Sequence, residues 1–194
     1  MSFLLAWIQK ESYGNPCSWT SLREAGIFQL MVGSNQSVAG TSEAALRAPC
    51  QAIPSQSLAH SLTTAEADEQ ARSGVQYVRY CVTYARAKLL AAGCNWPEGS
   101  RDFGKMVMFV HILPGKITPW LAAATAGLGH PPRSWDELVT YAAGVGISDK
   151  WIQHADWIGD HWSGVGISTA AIAAFAGGTL LLYYLYRRSR RHGR

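Results

Sequence analysis

An all-α fold is predicted, and three observations predict it. Apolar residues recur at helical spacing, most clearly Val75, Val78, Val82 and Leu89, with Tyr77 and Tyr84 beside them. Glycine and proline close such stretches, as at Gly14-Asn15-Pro16 and Pro114-Gly115. No alternating segment reads as a strand of any length. At 194 residues the chain suits one domain with an appendage, enough to bury a proper core.

Taken in order, the first helix is expected from about Ser2 to Tyr13, apolar through Phe3, Leu4, Leu5, Trp7 and Ile8. Residues 15–25 read as a loop, and a short helix is expected to begin near Gly26. The stretch 32–64 is rich in Ser, Ala, Gln, Thr and Pro, a loop-like insertion with a weak helix at 42–47. A strong helix follows over 65–92, and Asn95-Trp96-Pro97-Glu98-Gly99-Ser100 makes a turn. Further helices are expected over 102–113, 116–126, 134–144 and 149–158. No internal repeat is present.

The formal net charge of +4 misleads about the body of the chain. Arg187, Arg188, Arg190, Arg191 and Arg194 all lie in the tail, and without them 12 basic residues (17 less 5) face 13 acidic ones. No basic patch remains to bind nucleic acid.

From Gly164 to Tyr186 there is no charged residue, and Ala, Gly, Ile and Leu dominate. As a helix this segment would reach roughly 34 Å, enough to cross a hydrocarbon core. Trp157 and Trp162 before it, and Tyr183, Tyr184 and Tyr186 at its end, are expected at the membrane interfaces. The organisation expected is therefore a domain over 1–145, a juxtamembrane helix and linker over 146–163, a span over 164–186 and a basic tail over 187–194. The arginines place that tail in the cytoplasm and the rest across the inner membrane, facing the periplasm or wall. No signal peptide is read at the N-terminus. Either the span directs its upstream domain outward, or another route delivers it, such as assembly into a cell-envelope or phage particle.

Cys17 and Cys50 both fall in loop-like sequence and are the expected disulfide pair. Cys81 and Cys94, along one predicted helix, would stand about 20 Å apart, beyond disulfide reach unless the helix ends early. No ligand spacing suggests a metal site, and no cofactor is expected.

The chemistry-bearing residues cluster near the start. Glu11-Ser12-Tyr13-Gly14-Asn15-Pro16 is followed, after a loop, by Gly26-Ile27-Phe28-Gln29-Leu30-Met31. A carboxyl group thus sits where an apolar helix breaks, followed by a segment able to press polar groups against a bound sugar. This pair resembles the soluble lytic transglycosylases, whose lysozyme-like domain carries its catalytic glutamate in an E-S-x-x-N-P sequence ahead of a G-L-M-Q-type motif. Glu66 to Val78 is similar to that family's next segment, keeping Gly74 and Tyr77. The family's A-Y-N-A-G-P-G motif would fall at 109–115, where Pro114-Gly115 survives while Val110 and His111 replace its tyrosine and asparagine.

The resemblance implies an all-α, lysozyme-like transglycosylase domain acting on peptidoglycan glycan strands, with a C-terminal transmembrane helix behind it. Glu11 would be general acid and then base, with no partner carboxylate. A glutamate partly desolvated by apolar neighbours keeps its proton to higher pH, and Trp7, Phe28 and Met31 are the expected neighbours. Ser12 either orients Glu11 or caps the helix end. Gln29 is the candidate polar contact to the N-acetylated sugar. Phe28, Met31, Tyr77 and His111 are candidate substrate contacts, with core packing the alternative for Met31 and Tyr77. Glu24 is expected to pair with Arg23 rather than to act on substrate.

Three rival readings follow from the same residues. A lysozyme-type muramidase on this fold would use a second carboxylate, and the eroded third motif suits a catalytically inactive wall-binding protein. Residues 103–107 and 151–153, ahead of a C-terminal span, are faintly similar to the Bcl-2 family. No amphipathic helix with that family's Gly-Asp core precedes them.

Overall fold

The computed structural model describes residues 3–15, 17–31, 33, 38–47 and 64–162, and the chain over them is predominantly helical, as expected. The elements are α1 (Phe3–Ser12), β1 (Glu24–Ala25), β2 (Leu30–Met31), α2 (Glu43–Arg47), α3 (Thr64–Ala91), α4 (Arg101–Ile112), α5 (Ile117–Leu128), α6 (Trp135–Val139) and α7 (Asp149–His161). Single 3-10 turns stand at Pro114–Lys116 and Ala143–Val145. Two compact units share α3: one holds Leu4–Arg79, the other Tyr80–Trp162 together with Phe3.

In the first unit, Leu4, Ala6 and Trp7 bury one side of α1, and Val75, Tyr77 and Val78 bury one side of α3. The expected helix near Gly26 is not formed. Gly26 (φ 76) and Gln29 (φ 49) both take left-handed backbone, which a right-handed helix cannot contain. The Gln29 N–H instead donates to the Gly26 carbonyl at 3.2 Å, closing a turn between β1 and β2. These pair antiparallel, Glu24 opposite Met31 and Ala25 opposite Leu30, with a bridge from Trp19 to Ala25. Strands of two residues carry no alternation that a sequence could display.

In the second unit, α3 ends in a Schellman motif. Gly93 (φ 76) lets the Cys94 N–H reach the Leu89 carbonyl at 2.8 Å and its own N–H reach Leu90 at 3.0 Å. Ser100 caps α4 by accepting from the Phe103 N–H at 3.2 Å, and α4 is buried from Phe103 through His111 except for half-buried Lys105. An aromatic cluster fills the interior, with Phe109–Trp120 ring centres at 4.7 Å and Trp120–Trp135 at 5.4 Å.

The single helix expected over 134–144 is broken. The Trp120 indole donates to the Leu138 carbonyl at 2.8 Å, and the Tyr141 N–H closes a shorter i→i+3 bond on that same oxygen. Gly146 (φ 71) then completes a second Schellman motif, Ile147 N–H to Ala142 and Gly146 N–H to Ala143, each at 3.0 Å.

Segment 146–163 was expected as juxtamembrane. Its helix α7 packs on α4 through Ile152, Ala155, Ile158 and Gly159, and Lys105 pairs with Asp156 at 2.9 Å. Trp162, expected at a membrane interface, is 1% exposed, its ring meeting Phe3 edge-on at 5.5 Å. Burying an indole against a phenyl ring removes more apolar area from water than a half-wet interface would. Trp157 is half-buried and stacks on His161 at 3.9 Å.

Among the described residues no single helix is long and apolar enough to cross a membrane. The expected span, 164–186, and the tail behind it lie outside them. Cys17 is disulfide-bonded, and its expected partner Cys50 lies outside the described residues as well. Although α3 does end before Cys94, Cys81 and Cys94 remain buried thiols. Burial raises the Cys94 pKa above that of an ordinary thiol.

Candidate active site

Helix α1 stops for a local reason. Tyr13 (φ 53) and Gly14 (φ 74) are consecutive left-handed residues, and the chain turns back on itself through them. The Asn15 N–H donates to the Ser12 carbonyl at 2.9 Å, and the Asn15 side-chain oxygen accepts from the Cys17 N–H at 2.9 Å, an Asx-type turn. Glu11 therefore occupies the last turn of α1 and is half-buried.

Ser12, buried, links this helix end to the turn that carries Gln29. Its hydroxyl lies 2.9 Å from the Ile27 carbonyl, donating there, and 3.2 Å from the Ile8 carbonyl, and it accepts from the Gly14 N–H at 3.1 Å. One hydroxyl thus caps α1 and holds residues 26–29 against it. The Trp7 indole adds a longer bond, 3.4 Å, to the Phe28 carbonyl.

The Phe28 ring is buried over Gly74, where a side chain would have no room: an added Cβ would come within 2.0 Å of the ring. Tyr77, 2% exposed, meets the Trp7 ring edge-on at 6.3 Å. Both aromatic rings therefore pack the wall behind the turn.

Gln29 is the most constrained of the candidates. It is 1% exposed, in a left-handed conformation that costs free energy for a side-chain-bearing residue. Its Nε2 donates to Gly26 O at 2.7 Å and to Ser18 O at 3.1 Å. Its Oε1 is buried, and among the described residues no hydrogen-bond donor reaches it. An orphan buried acceptor of this kind is costly and asks for a donor. Met31 is half-buried on β2.

Glu24 departs from expectation. Arg23 does not pair with it but reaches across to Glu43 at 2.9 Å, because its own left-handed backbone (φ 62) turns it toward α2. The Glu24 carboxylate accepts instead from the Thr20 hydroxyl at 2.8 Å and is half-buried. Glu43 takes Arg47 at 3.1 Å as well, and hydrogen bonds from Arg47 and Arg23 hold its carboxyl below the usual glutamate pKa. The Arg47 guanidinium also sits 4.1 Å over the Trp19 ring, so α2 is anchored to the loop before β1.

Gln70 belongs to this framework and was missed from sequence. Its Oε1 accepts the buried Ile27 N–H at 3.1 Å and its Nε2 donates to Leu46 O at 3.3 Å. A signal existed: Gln70 lies on the same helical stripe as Gly74, Tyr77 and Cys81, and a polar residue on a buried stripe needs partners.

Glu11, Ser12, Phe28, Gln29, Met31 and Tyr77 all lie in the first unit. His111 lies in the other, buried in the last turn of α4. Among the described residues no group of three or more His, Cys, Asp or Glu could hold a metal ion. The chain matches no family model, no curated protein and no solved structure.

Proposed function

We propose that this chain is a membrane-anchored peptidoglycan lytic transglycosylase with a lysozyme-like catalytic domain. It would cut the β-1,4 bond between N-acetylmuramic acid and N-acetylglucosamine and leave 1,6-anhydro ends. The observation that carries this reading is the Ser12–Ile27 hydrogen bond, which fastens the Gln29 turn to the helix end bearing Glu11.

In the first step Glu11 gives its proton to the leaving glycosidic oxygen while positive charge builds at the muramic acid C1. The substrate's own N-acetyl oxygen stabilises that charge. The Glu11 carboxylate then takes the proton of the C6 hydroxyl as O6 bonds to C1. No water is consumed, and one carboxyl group serves both steps.

The test is a zymogram on cell-wall material with Glu11→Gln, which keeps size and hydrogen bonding but delivers no proton. Activity is expected to fall at least about a hundredfold. A folded variant with undiminished turnover would overturn the assignment. Anchorage by 164–186, with 187–194 in the cytoplasm and the active site facing the wall, completes the proposal.

A second reading rests on Glu24, which Arg23 does not neutralise and which the β1 strand holds half-buried. A muramidase would use it as the second carboxylate. Mass spectrometry separates the two, because anhydro ends are one water lighter than hydrolysed ends.

A further inference from the structure

The last turn of α3 and one face of α5 leave a groove of about 540 Å³ between them, within the size range of small-molecule sites, roughly 300–1,000 Å³. Both walls belong to the second unit, and none of the lining residues is one that the wall-degrading reading uses. From α3 come Lys88 and Ala91, and from α5 come Thr118, Leu121, Ala122 and Thr125. The α5 residues recur at i, i+3, i+4 and i+7, which is a single face of a helix. The two alanines are exposed and too small to fill the space, and Leu121 is buried, so the surface presented is largely apolar.

Two polar groups interrupt it. A lysine in the last turn of a helix ordinarily serves the terminal carbonyls. Here the carbonyls of Lys88, Leu89 and Leu90 already accept from the N–H groups of Ala92, Cys94 and Gly93, at 3.1, 2.8 and 3.0 Å. The Lys88 ammonium lies 5.3 Å from the centre of the Tyr84 ring, and among the described residues no carboxylate pairs with it. A threonine on a helix commonly donates back to a carbonyl of the preceding turn, as Thr140 does to Glu137 at 2.8 Å. The buried Thr125 Oγ1 makes no such bond, nor any other among the described residues. Nothing holds this hydroxyl in place, so turning it about χ1 toward the groove breaks no hydrogen bond.

A cation and an unmatched hydroxyl beside an apolar surface suit a ligand with one anionic group and a hydrocarbon body. One lysine supplies one positive charge, which matches a carboxylate better than a phosphate dianion. We propose that the groove between α3 and α5 is a binding site for a small amphiphilic carboxylate, its head on Lys88 and its chain against Leu121 and Ala122. The site stands independently of the wall-degrading reading, since it shares no residue with it.

The experiment titrates octanoate into the full chain, held in phosphatidylcholine nanodiscs, by calorimetry with the heat of empty discs subtracted. Octanamide, with the same chain and no charge, is the comparison. Octanoate is expected to bind saturably at one site per chain, and octanamide about three- to tenfold more weakly, the range between an exposed ion pair and a sheltered charge-assisted hydrogen bond. Lys88→Gln should weaken octanoate by that same factor and erase the preference between the two. Ala122→Phe, at an exposed helix position, fills the groove and should abolish binding with Tm unchanged. Absence of saturable octanoate binding would overturn the proposal, as would octanamide binding equally well. Octanoate binding that survives Ala122→Phe would place the ligand elsewhere and overturn it too. A dimer seen by light scattering and abolished by Ala122→Phe would overturn it in favour of a second copy as the occupant. Should Ala122→Phe lower the Tm, the loss of preference in Lys88→Gln decides alone.

Discussion

The Phe28 ring occupies the space beside Gly74, so close that a β-carbon there would stand 2.0 Å from the ring. This contact seats the whole 26–29 turn, because Phe28 also offers its carbonyl to Trp7. Real Cβ contacts never approach so near, and an aromatic ring held on several sides cannot swing away cheaply.

Gly74→Ala is therefore expected to destabilise the protein by about 3 kcal/mol or more, at the upper end of overpacking costs. Gly115→Ala, at a glycine with nothing within 4 Å of the added carbon, is the control and should stay within about 0.5 kcal/mol. Urea unfolding of the two variants checks this. Equal midpoints would show that Phe28 moves freely.

Ser12→Ala removes the hydroxyl that caps α1 and holds Ile27. The Ile27 carbonyl then loses its buried donor, at a cost of about 1–3 kcal/mol. The wall-degrading activity proposed above is expected to fall further than stability explains, because the Gln29 turn loses its tie to the Glu11 helix. Circular dichroism and zymography on the same preparation separate the effects. A variant destabilised by that amount yet fully active would show that the tie is structural only.

Glu69 makes the fold sensitive to acid. Burial works to raise its pKa, but hydrogen bonds from Thr41 and Arg72, with the Arg72 charge, outweigh it and hold the carboxyl below 4.5. A lowered folded value means that the stabilisation is complete above about pH 4.5 and is lost as the pH falls through the folded value. Glu69→Gln should therefore unfold about 0.5–1 kcal/mol more easily at pH 7, with the deficit closing toward pH 3. A deficit independent of pH would mean that the carboxylate charge is not what matters.

Cys81 and Cys94 are buried, and burial raises the Cys94 pKa, so little thiolate forms and little of it meets solvent. Neither should react with iodoacetamide in the native protein, and both should react fully in denaturant, as peptide mapping would show. Rapid native labelling at Cys94 would place the Schellman turn after α3 in an open state.

Much of the helical framework was legible in the chain because its causes are local. The stripe of Val75, Val78, Val82 and Leu89 defines α3 within a residue at each end, and Gly14 and Pro114-Gly115 close α1 and α4 where they were expected to. The placement of Glu11 at a helix end followed from Gly14 in the same way. What tertiary structure alone decided is the turn that faces it. Gly26-Ile27-Phe28-Gln29 has the composition of a short helix. It becomes a left-handed turn between two-residue strands because Ser12, Gln70 and Gly74, remote in sequence, supply its hydrogen bonds and its space. The burial of Trp162 is of the same kind: an aromatic residue before an apolar run looks interfacial in sequence, and folding brings the Phe3 ring against it. Local periodicity encodes where helices run, whereas the conformation of a turn and the burial of a ring are set by atoms that folding brings from elsewhere in the chain.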